Sequence, residues 1–244
     1  ETSGASDFSC DPGGARPPAG VEVIRPRGSA GPIAHALFDH DGTISTLREG
    51  WERVMETMMV REILGPRFAG ADEPLRARVR DRVRGLIEET TGHQTLVQMR
   101  ALAEMVREFG FVSAAEALDL HGYKAIYARE LAAMMRGRLE DVRTGRRAAD
   151  EFLVPGAAEF LRLLVEQGVK LYLASGTDVE DVRDEARLLG YEDLFEGRIY
   201  GAVGDIRVEA KQAVIESILR EHELPPAELA VLGEQTLARM EGFL

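Results

Sequence analysis

The sequence has a single cysteine, Cys10, so it cannot form a disulfide bond within the chain. Such scarcity is typical of proteins from a reducing compartment. Residues 1–30 also lack the apolar segment of a secretory signal peptide, and no apolar run reaches the ~18 residues that a membrane span requires. We therefore expect a cytoplasmic protein without a membrane partner.

Positive charge is scarce as well, with 30 Lys and Arg residues against 42 Asp and Glu residues and a formal net charge of -12. An acidic surface argues against nucleic acid as the main partner. It does not exclude a small anionic substrate, because one local cluster of donors can hold a phosphate within an acidic protein. The 244 residues are 45% hydrophobic and 30% charged, which predicts one large globular domain or two small ones.

Gly, Ser, Ala and Pro dominate residues 1–20, which predicts a disordered tail or linker over residues 1–30. The first predicted strand covers residues 33–38. From residue 46 to residue 151, turn residues are few and apolar residues recur at helical spacing, which indicates a block of helices. The predicted helices cover residues 48–64, 73–90, 94–109, 113–120 and 122–147.

Helices and strands alternate after residue 154. The predicted helices are 157–167, 178–189 and 209–223, and the predicted strands are 169–174, 197–202 and 229–232. This alternation predicts a doubly wound parallel sheet, and the helical block that follows the first strand becomes an insertion over the sheet. The expected fold class is α/β. It has a Rossmann-like parallel sheet core (31–45 and 152–244) with an inserted all-helical cap domain (46–151).

Asp39 and Asp41 directly follow the first predicted strand, and Gly42 and Thr43 come next. Ligands of open α/β sheets bind beyond the carboxyl ends of the strands, and a glycine lets the backbone turn there. Two carboxylates this close repel each other unless a cation or a shared proton intervenes. A turn with a hydrogen bond between an aspartate and Thr43 is the structural alternative. The apolar strand and the first aspartate favour a catalytic pair, with His40 as a spacer whose N–H helps to bind phosphate.

Hydrogen-bond donors follow two later elements of the sheet. Ser175 and Gly176 lie between a strand and a helix, where backbone N–H groups bind anions. The alternative is an ordinary helix cap at Thr177 or Asp178. Lys211 falls in the first turn of a helix, where its charge opposes the helix dipole. The position therefore favours an ammonium group that is needed for binding, with a solvated lysine as the alternative.

The last predicted strand is followed by Gly233 and Glu234. Mg²⁺ prefers oxygen ligands and keeps several waters, so a few carboxylates are enough to hold it. The acid at this strand end is therefore a candidate to complete a Mg²⁺ site with the pair Asp39 and Asp41.

This ordered set of residues resembles the haloacid dehalogenase (HAD) superfamily in its phosphatase branch. The matching motifs are Asp39-His40-Asp41-Gly42-Thr43, Ser175 after an apolar strand, Lys211, and Gly233-Glu234 after another strand. The helical insertion is similar to the cap of phosphoglycolate phosphatase-like and β-phosphoglucomutase-like members. The resemblance covers residues 33–244. It implies a Mg²⁺-dependent hydrolase of phosphoric monoesters that acts on a small phosphorylated metabolite, as a monomer or a homodimer.

The resemblance also implies a role for each residue. Asp39 attacks the phosphorus and forms an aspartyl-phosphate, while Asp41 protonates the leaving oxygen and later takes a proton from water. An acid at the second position favours phosphoryl transfer over dehalogenation, because a halide leaves without a proton. Mg²⁺ is held by Asp39, the backbone carbonyl of Asp41 and Glu234. The substrate is bound by Thr43, Ser175, Gly176 and Lys211.

One motif departs from the family pattern, in which the glycine is followed by an aspartate and shortly afterwards by a further acid. Here Glu234 follows Gly233, and the next acid is Glu241. The family continues into another helix and strand, so truncation and divergence of the C-terminus are both open. A catalytically impaired phosphate-ester-binding protein is therefore one alternative, and a phosphomutase of the same fold is another. A phosphonatase would need an activated lysine in the cap, where Lys124 is the only lysine.

Overall fold

The computed structural model describes residues 33–202, 210–225 and 228–233. The tail predicted for residues 1–30 and the candidate metal ligand Glu234 lie outside these ranges. The domain boundaries at residues 45/46 and 151/152 remain a prediction from the sequence.

Four parallel strands form the described sheet: β1 (His35–Asp39), β2 (Lys170–Ala174), β3 (Ile199–Tyr200) and β4 (Leu229–Leu232). Their order in space is β3-β2-β1-β4, so β1 lies inside the sheet. Asp39 pairs with Ala174 of β2, and Phe38 pairs with Leu232 of β4. This register brings the carboxyl ends of β1, β2 and β4 together at one edge of the sheet.

The chain between β1 and β2 contains four long helices. They are α1 (Trp51–Leu64), α2 (Glu73–Thr90), α3 (Thr95–Phe109) and α4 (Leu120–Arg143). Asp72 caps α2 by accepting a hydrogen bond from the amide of Leu75, and Asp119 caps α4 by accepting one from the amide of Gly122. A short polar side chain at the N-cap satisfies an amide that the helix leaves unpaired. These caps fix where the second and fourth helices begin.

The helix predicted over residues 113–120 is wrong. The carbonyl of Ser113 accepts the amides of Glu116 and Ala117, which makes a single turn. Asp119 then takes an extended conformation, with φ -78° and ψ 176°, because its side chain caps α4. An extended residue at position 119 ends any helix that approaches it, so the long helix begins at Leu120.

Helices cover both faces of the sheet. They are α5 (Ala157–Glu166), α6 (Val179–Leu189) and α7 (Ala210–Glu221). Successive side chains of β1 point to opposite faces. Ala36 and Phe38 join the larger apolar cluster with α5, α6 and α1–α4, whereas Leu37 packs with Val214 and Ile218 of α7. This arrangement confirms the expected fold class. In the part of the chain that the structure describes, no helix is both long and apolar enough to cross a membrane.

Candidate active site

A cleft of about 110 Å³ opens at the carboxyl ends of β1 and β2, beneath the inserted helices. Its floor contains five residues that the sequence singled out from separate motifs: Asp39, Asp41, Ser175, Gly176 and Lys211. They converge because the last residue of β1, the turn after β2 and the first turn of α7 meet at one edge of the sheet. Such edges are where open α/β sheets bind their ligands.

The Asp39 carboxylate is held from two sides. The Lys211 ammonium lies 2.7 Å from its Oδ2 atom, and the backbone N–H of His40 donates a 2.9 Å hydrogen bond to its Oδ1 atom. The Asp39 side chain is 18% exposed, so it reaches the cleft but cannot rotate freely into solvent. The His40 amide therefore binds Asp39, and its predicted contact with phosphate stays a prediction. The arrangement fixes the direction of the carboxylate that the sequence predicts as the nucleophile.

Asp41 is surrounded by cationic and polar groups. Its buried Oδ1 atom lies 3.3 Å from Nδ1 of His40 and 3.5 Å from Nε of Arg48, and neither contact has hydrogen-bond geometry. Burial alone would raise the pKa of Asp41, but the contact with His40 and the charges of Arg48 and Lys211 outweigh burial and lower the pKa overall. Asp41 is therefore a carboxylate whose negative charge is balanced by its neighbours.

The His40 ring is fully buried, and its Nε2 atom lies 2.7 Å from the Tyr191 hydroxyl. Burial raises the pKa of Tyr191, so this hydroxyl stays protonated and shares a hydrogen bond with Nε2. The Nδ1 atom on the other side of the ring faces Oδ1 of Asp41 at 3.3 Å. His40 is thus more than a spacer, because its ring contributes to the surroundings of the second aspartate.

Arg48 lies in the segment that joins β1 to α1, and no motif in the sequence pointed to its importance. Its guanidinium donates to both carboxylate oxygens of Glu185, at 2.5 to 3.2 Å, and to the hydroxyl of Thr177 at 2.8 Å. Both Arg48 and Glu185 are buried. Burial alone would lower the pKa of Arg48, but Asp41 and Glu185 raise it overall, so the guanidinium stays charged.

The turn after β2 contains two residues of the predicted phosphate site, Ser175 and Gly176. Ser175 is buried, and its hydroxyl accepts a 3.2 Å hydrogen bond from the amide of Thr177. A Cβ atom at Gly176 would lie 3.0 Å from the carbonyl oxygen of His93, so only glycine fits there without displacing that segment. Asp178 occupies the N-cap position of α6 without making a side-chain cap bond. Asp178 thus begins α6 through its backbone conformation alone, and phosphate binding at this turn stays a prediction.

Thr43 is the one predicted substrate-binding residue of the described chain that does not line the described cleft. It lies in the tight turn after Asp41, where Gly42 has φ 74° and its amide binds the carbonyl of Ser45. The Thr43 hydroxyl is buried, with no hydrogen-bond partner among the described residues. Its predicted contact with the substrate stays a prediction.

The helical insertion supplies the opposite wall of the cleft, which the sequence did not single out. Gln98 of α3 and Tyr127 of α4 are both buried and both line the cleft, together with Trp51 of α1. The one available signal was Gln98, a polar residue within the apolar stripe of Leu96, Met99 and Leu102. Periodicity alone assigned that stripe to core packing.

Three side chains in the described chain stand close enough to share a metal ion, namely His40, Asp41 and Glu185, with ligand atoms within 4.8 Å of one another. The Arg48 guanidinium already supplies positive charge to this group, because it binds Glu185 and approaches Asp41. The oxygen donors of Asp39 and Asp41 suit a hard cation such as Mg²⁺ better. Their chemistry fits the ion that the sequence predicted.

The sequence matches the family model of haloacid dehalogenase-like hydrolases over residues 33–235. The protein therefore belongs to the haloacid dehalogenase-like hydrolases, and the resemblance stated from the motifs is confirmed. The match spans both the sheet and the helical insertion. None of the curated proteins matches the sequence closely enough to count as a relative.

Solved structures share the fold at low sequence identity. A putative haloacid dehalogenase-like hydrolase from Bacteroides fragilis is 17% identical with a TM-score of 0.52, over 84% of this chain and 80% of that one. A β-phosphoglucomutase from Clostridium difficile is 13% identical with a TM-score of 0.53, over 82% and 76%. A predicted phosphoglycolate phosphatase from Haemophilus somnus is 17% identical with a TM-score of 0.49, over 82% and 76%. The first two carry the fold comparison.

Proposed function

We propose that this protein is a Mg²⁺-dependent phosphomonoesterase that hydrolyses a small phosphorylated metabolite through an aspartyl-phosphate. One observation carries the proposal: Asp39, Ser175, Gly176 and Lys211 line one cleft at the carboxyl edge of the sheet, with the ammonium 2.7 Å from the carboxylate. A carboxylate nucleophile beside donors for phosphate oxygens is what phosphoryl transfer requires. Membership of the hydrolase family supports the same reaction class.

In this proposal Asp39 attacks the phosphorus and displaces the ester oxygen. Lys211, the hydroxyl of Ser175 and the N–H of Gly176 bind the phosphate oxygens as negative charge spreads over them. Asp39, Asp41 and Glu234 would hold Mg²⁺. When bound, the ion supplies positive charge that reduces repulsion between the carboxylate and the phosphate. Water then hydrolyses the aspartyl-phosphate and regenerates Asp39.

Asp41 has two tasks in the proposed reaction. It gives a proton to the leaving oxygen, and it later takes one from the attacking water. In the free protein, His40, Arg48 and Lys211 hold its pKa below the ordinary value. A phosphate dianion beside the carboxyl group adds negative charge and thereby raises that pKa. Substrate binding is therefore expected to favour the protonated form that the first task needs.

The direct test replaces Asp39 by Asn, which keeps the shape of the side chain and removes the nucleophilic carboxylate. Hydrolysis of p-nitrophenyl phosphate in the presence of Mg²⁺ should fall by about 10³-fold or more. Asp184→Asn is the matched control, because Asp184 is 74% exposed on α6 and lies outside the cleft. Full activity of Asp39→Asn, or activity of the wild-type protein that is insensitive to removal of Mg²⁺ by EDTA, would reject the proposal.

A second candidate is a phosphate-ester-binding protein without efficient turnover. It is favoured by the glutamate at position 234, where the resembled family has aspartate. It predicts binding of inorganic phosphate without Mg²⁺-stimulated hydrolysis, so rapid turnover of any monoester would exclude it. The phosphonatase alternative gains no support. The Lys124 ammonium is bound to both carboxylate oxygens of Asp178, at 2.6 and 2.9 Å, and does not line the cleft around Asp39.

A further inference from the structure

Four residues of the helical insertion give one wall of the cleft uncharged hydrogen-bonding groups and aromatic rings, whereas His93, whose carbonyl oxygen approaches Gly176, lies beside the phosphate-binding turn. Trp51, Thr95, Gln98 and Tyr127 all belong to the helical insertion and all line the cleft. Burial raises the pKa of Tyr127, so its hydroxyl is neutral at physiological pH. Amide and hydroxyl groups bind hydroxyls of a ligand, and aromatic faces pack against its C–H groups. This wall offers a leaving group polar contacts without charge.

The arginine and lysine side chains that line the described part of this cleft are Arg48 and Lys211, and both are already paired. Arg48 binds the buried carboxylate of Glu185 and approaches Asp41. Lys211 binds Asp39 at the reacting end of the cleft, where the phosphate itself requires it. Neither charge is available to a second anionic group on the leaving side of a substrate.

The adjoining crevice is acidic rather than basic. It continues from the cleft past Tyr127 and Thr177 and is lined by Asp178, Asp181 and Glu185. Its lysine, Lys124, is bound to Asp178. A carboxylate or a second phosphate on the leaving group would lose its hydration here without gaining a counter-charge, and that loss weakens its binding.

We propose that the substrate is a monophosphate ester of an uncharged, hydroxylated carbon skeleton, such as a polyol or a sugar, without a carboxylate or a second phosphate. This inference rests on the proposed phosphomonoesterase function and names the substrate class for that site. The ester P–O bond breaks, the leaving oxygen receives the proton of Asp41 and departs as a neutral alcohol, and water supplies the oxygen of the released phosphate. The uncharged wall selects the alcohol by its hydroxyls.

The test compares phosphate esters that differ by one charge. Glycerol 3-phosphate is paired with 3-phosphoglycerate, and glucose 6-phosphate with 6-phosphogluconate. The dissociation constants are measured by calorimetry on Asp39→Asn with Mg²⁺, so that no turnover occurs. In at least one pair, we expect the ester without the carboxylate to bind about tenfold more tightly or better. A tenfold difference in the dissociation constant is about 1.4 kcal/mol in binding free energy. Equal or tighter binding of the carboxylated member in both pairs would overturn the inference.

Turnover separates this inference from the proposed function. If wild-type protein hydrolyses p-nitrophenyl phosphate but the binding preference is absent, the substrate class is wrong and the phosphatase assignment stands. If no ester is hydrolysed, the proposed function fails, and the dissociation constants still decide which class of ester the cleft accepts.

A charge introduced into the wall provides an independent check. Gln98→Lys should shift the ratio of dissociation constants toward 3-phosphoglycerate by about tenfold, because the ammonium supplies the missing counter-charge. Gln98 is buried, and a lysine there could prevent folding. Thr95→Lys then serves the same purpose, because Thr95 is only half-buried at the start of α3. The matched control is Gln167→Lys, since Gln167 is exposed and outside the cleft. An unchanged ratio in Thr95→Lys and Gln98→Lys would contradict the role of this wall.

Discussion

Arg48 connects Asp41 to the turn after β2 and to helix α6. Its guanidinium binds the Glu185 carboxylate and the Thr177 hydroxyl, and its Nε atom lies 3.5 Å from Asp41. Since Arg48 and Glu185 are both buried, each charge depends on the other for compensation. We infer that Arg48 is a positioning residue, because it holds Asp41 through charge and geometry and has no part in proton transfer itself.

Arg48→Met leaves the Glu185 carboxylate buried without its counter-charge. The free energy of unfolding in urea should fall by about 3 kcal/mol or more. Arg183→Met is the control, because Arg183 forms a more exposed pair with Glu180 on α6 and should cost less than about 1 kcal/mol.

The double variant Arg48→Met/Glu185→Leu separates stability from positioning. Replacing both partners of a buried ion pair by apolar residues removes the uncompensated charge, so most of the lost stability should return. Phosphatase activity should stay low, with the loss in kcat rather than in KM, because the guanidinium no longer holds Asp41. Recovery of activity together with stability would contradict the positioning role.

The sequence could predict some residues of the site but not others, for a physical reason. Asp39, Asp41 and Ser175 directly follow apolar segments with the composition of buried strands, so their place at the sheet edge is a local property. The pairing of Arg48 with Glu185 depends on the packing of a loop against a helix 137 residues away. No local pattern identifies either partner. A charged residue is expected at the surface from sequence alone, and only the tertiary structure shows that these two are buried.

Two connecting segments meet above the candidate phosphate site, the link between α2 and α3 and the turn between β2 and α6. The carbonyl oxygen of His93 approaches Gly176 so closely that a Cβ atom there would lie 3.0 Å from it. A side chain at position 176 would therefore fit only if the His93 segment moved away from the turn. The helical insertion and the sheet contribute jointly to this part of the cleft.

Gly176→Ala should push the His93 segment away from the turn by a few tenths of an ångström. We expect kcat/KM for p-nitrophenyl phosphate to fall by about tenfold, since misplacement of binding groups weakens phosphoryl transfer. Gly137→Ala is the matched control, because Gly137 lies within α4 with nothing within 4 Å of the added Cβ atom. It should raise the free energy of unfolding by about 0.5–1 kcal/mol without changing activity. Equal kinetics of both variants would show that the contact is irrelevant.

The helices illustrate where sequence patterns succeed and where they stop. α2 and α3 were predicted within a residue or two of their observed ends, because their apolar stripes and flanking glycines or caps agree. The prediction of a helix over residues 113–120 was wrong because Asp119 can either continue a helix or cap the next one. The hydrogen bond that its side chain accepts from the amide of Gly122 stabilises the capping conformation. Such competition between local and tertiary preferences is not visible in periodicity.

At the scale of the whole molecule, the alternation of strands and helices was enough to predict a parallel sheet with an inserted helical block. It was not enough to predict the strand order β3-β2-β1-β4 or the short length of β3, which has only two residues. Strand order depends on which apolar faces find partners in three dimensions. Here β1 lies inside the sheet because it pairs with β2 on one side and β4 on the other, while its side chains enter the apolar clusters on both faces.

A hydrogen-bonded network that begins at the buried His35 links three parts of this architecture at the start of β1. The Nδ1 atom of His35 lies 2.9 Å from the Tyr172 hydroxyl of β2, which in turn lies 2.9 Å from Nε2 of His222 beyond α7. Burial lowers the pKa of His35, and the nearby groups His222, Lys170 and Arg198 lower it further. The folded protein therefore favours a neutral imidazole at this position.

The network predicts how stability depends on pH. A histidine whose pKa is lower in the folded state binds protons first in the unfolded chain, so its contribution is complete above the unfolded value of about 6.5 and is lost as the pH falls below it. A tenfold change in the proton affinity of His35 between the unfolded and folded states corresponds to about 1.4 kcal/mol in the free energy of unfolding. Urea unfolding at pH 7.5 and pH 5.5 should show a larger loss of stability for the wild type than for His35→Gln, which cannot titrate.

His121→Gln provides the control for that comparison, because His121 is exposed on α4 and lies outside the network. Its loss of stability between the two pH values should equal that of the wild type. Glutamine at position 35 can still offer a polar atom to the Tyr172 hydroxyl, so the variant is expected to fold at pH 7.5. If His35→Gln loses as much stability as the wild type on acidification, the acid sensitivity arises elsewhere. The neutral His35 would then not couple β1, β2 and the end of α7 to pH.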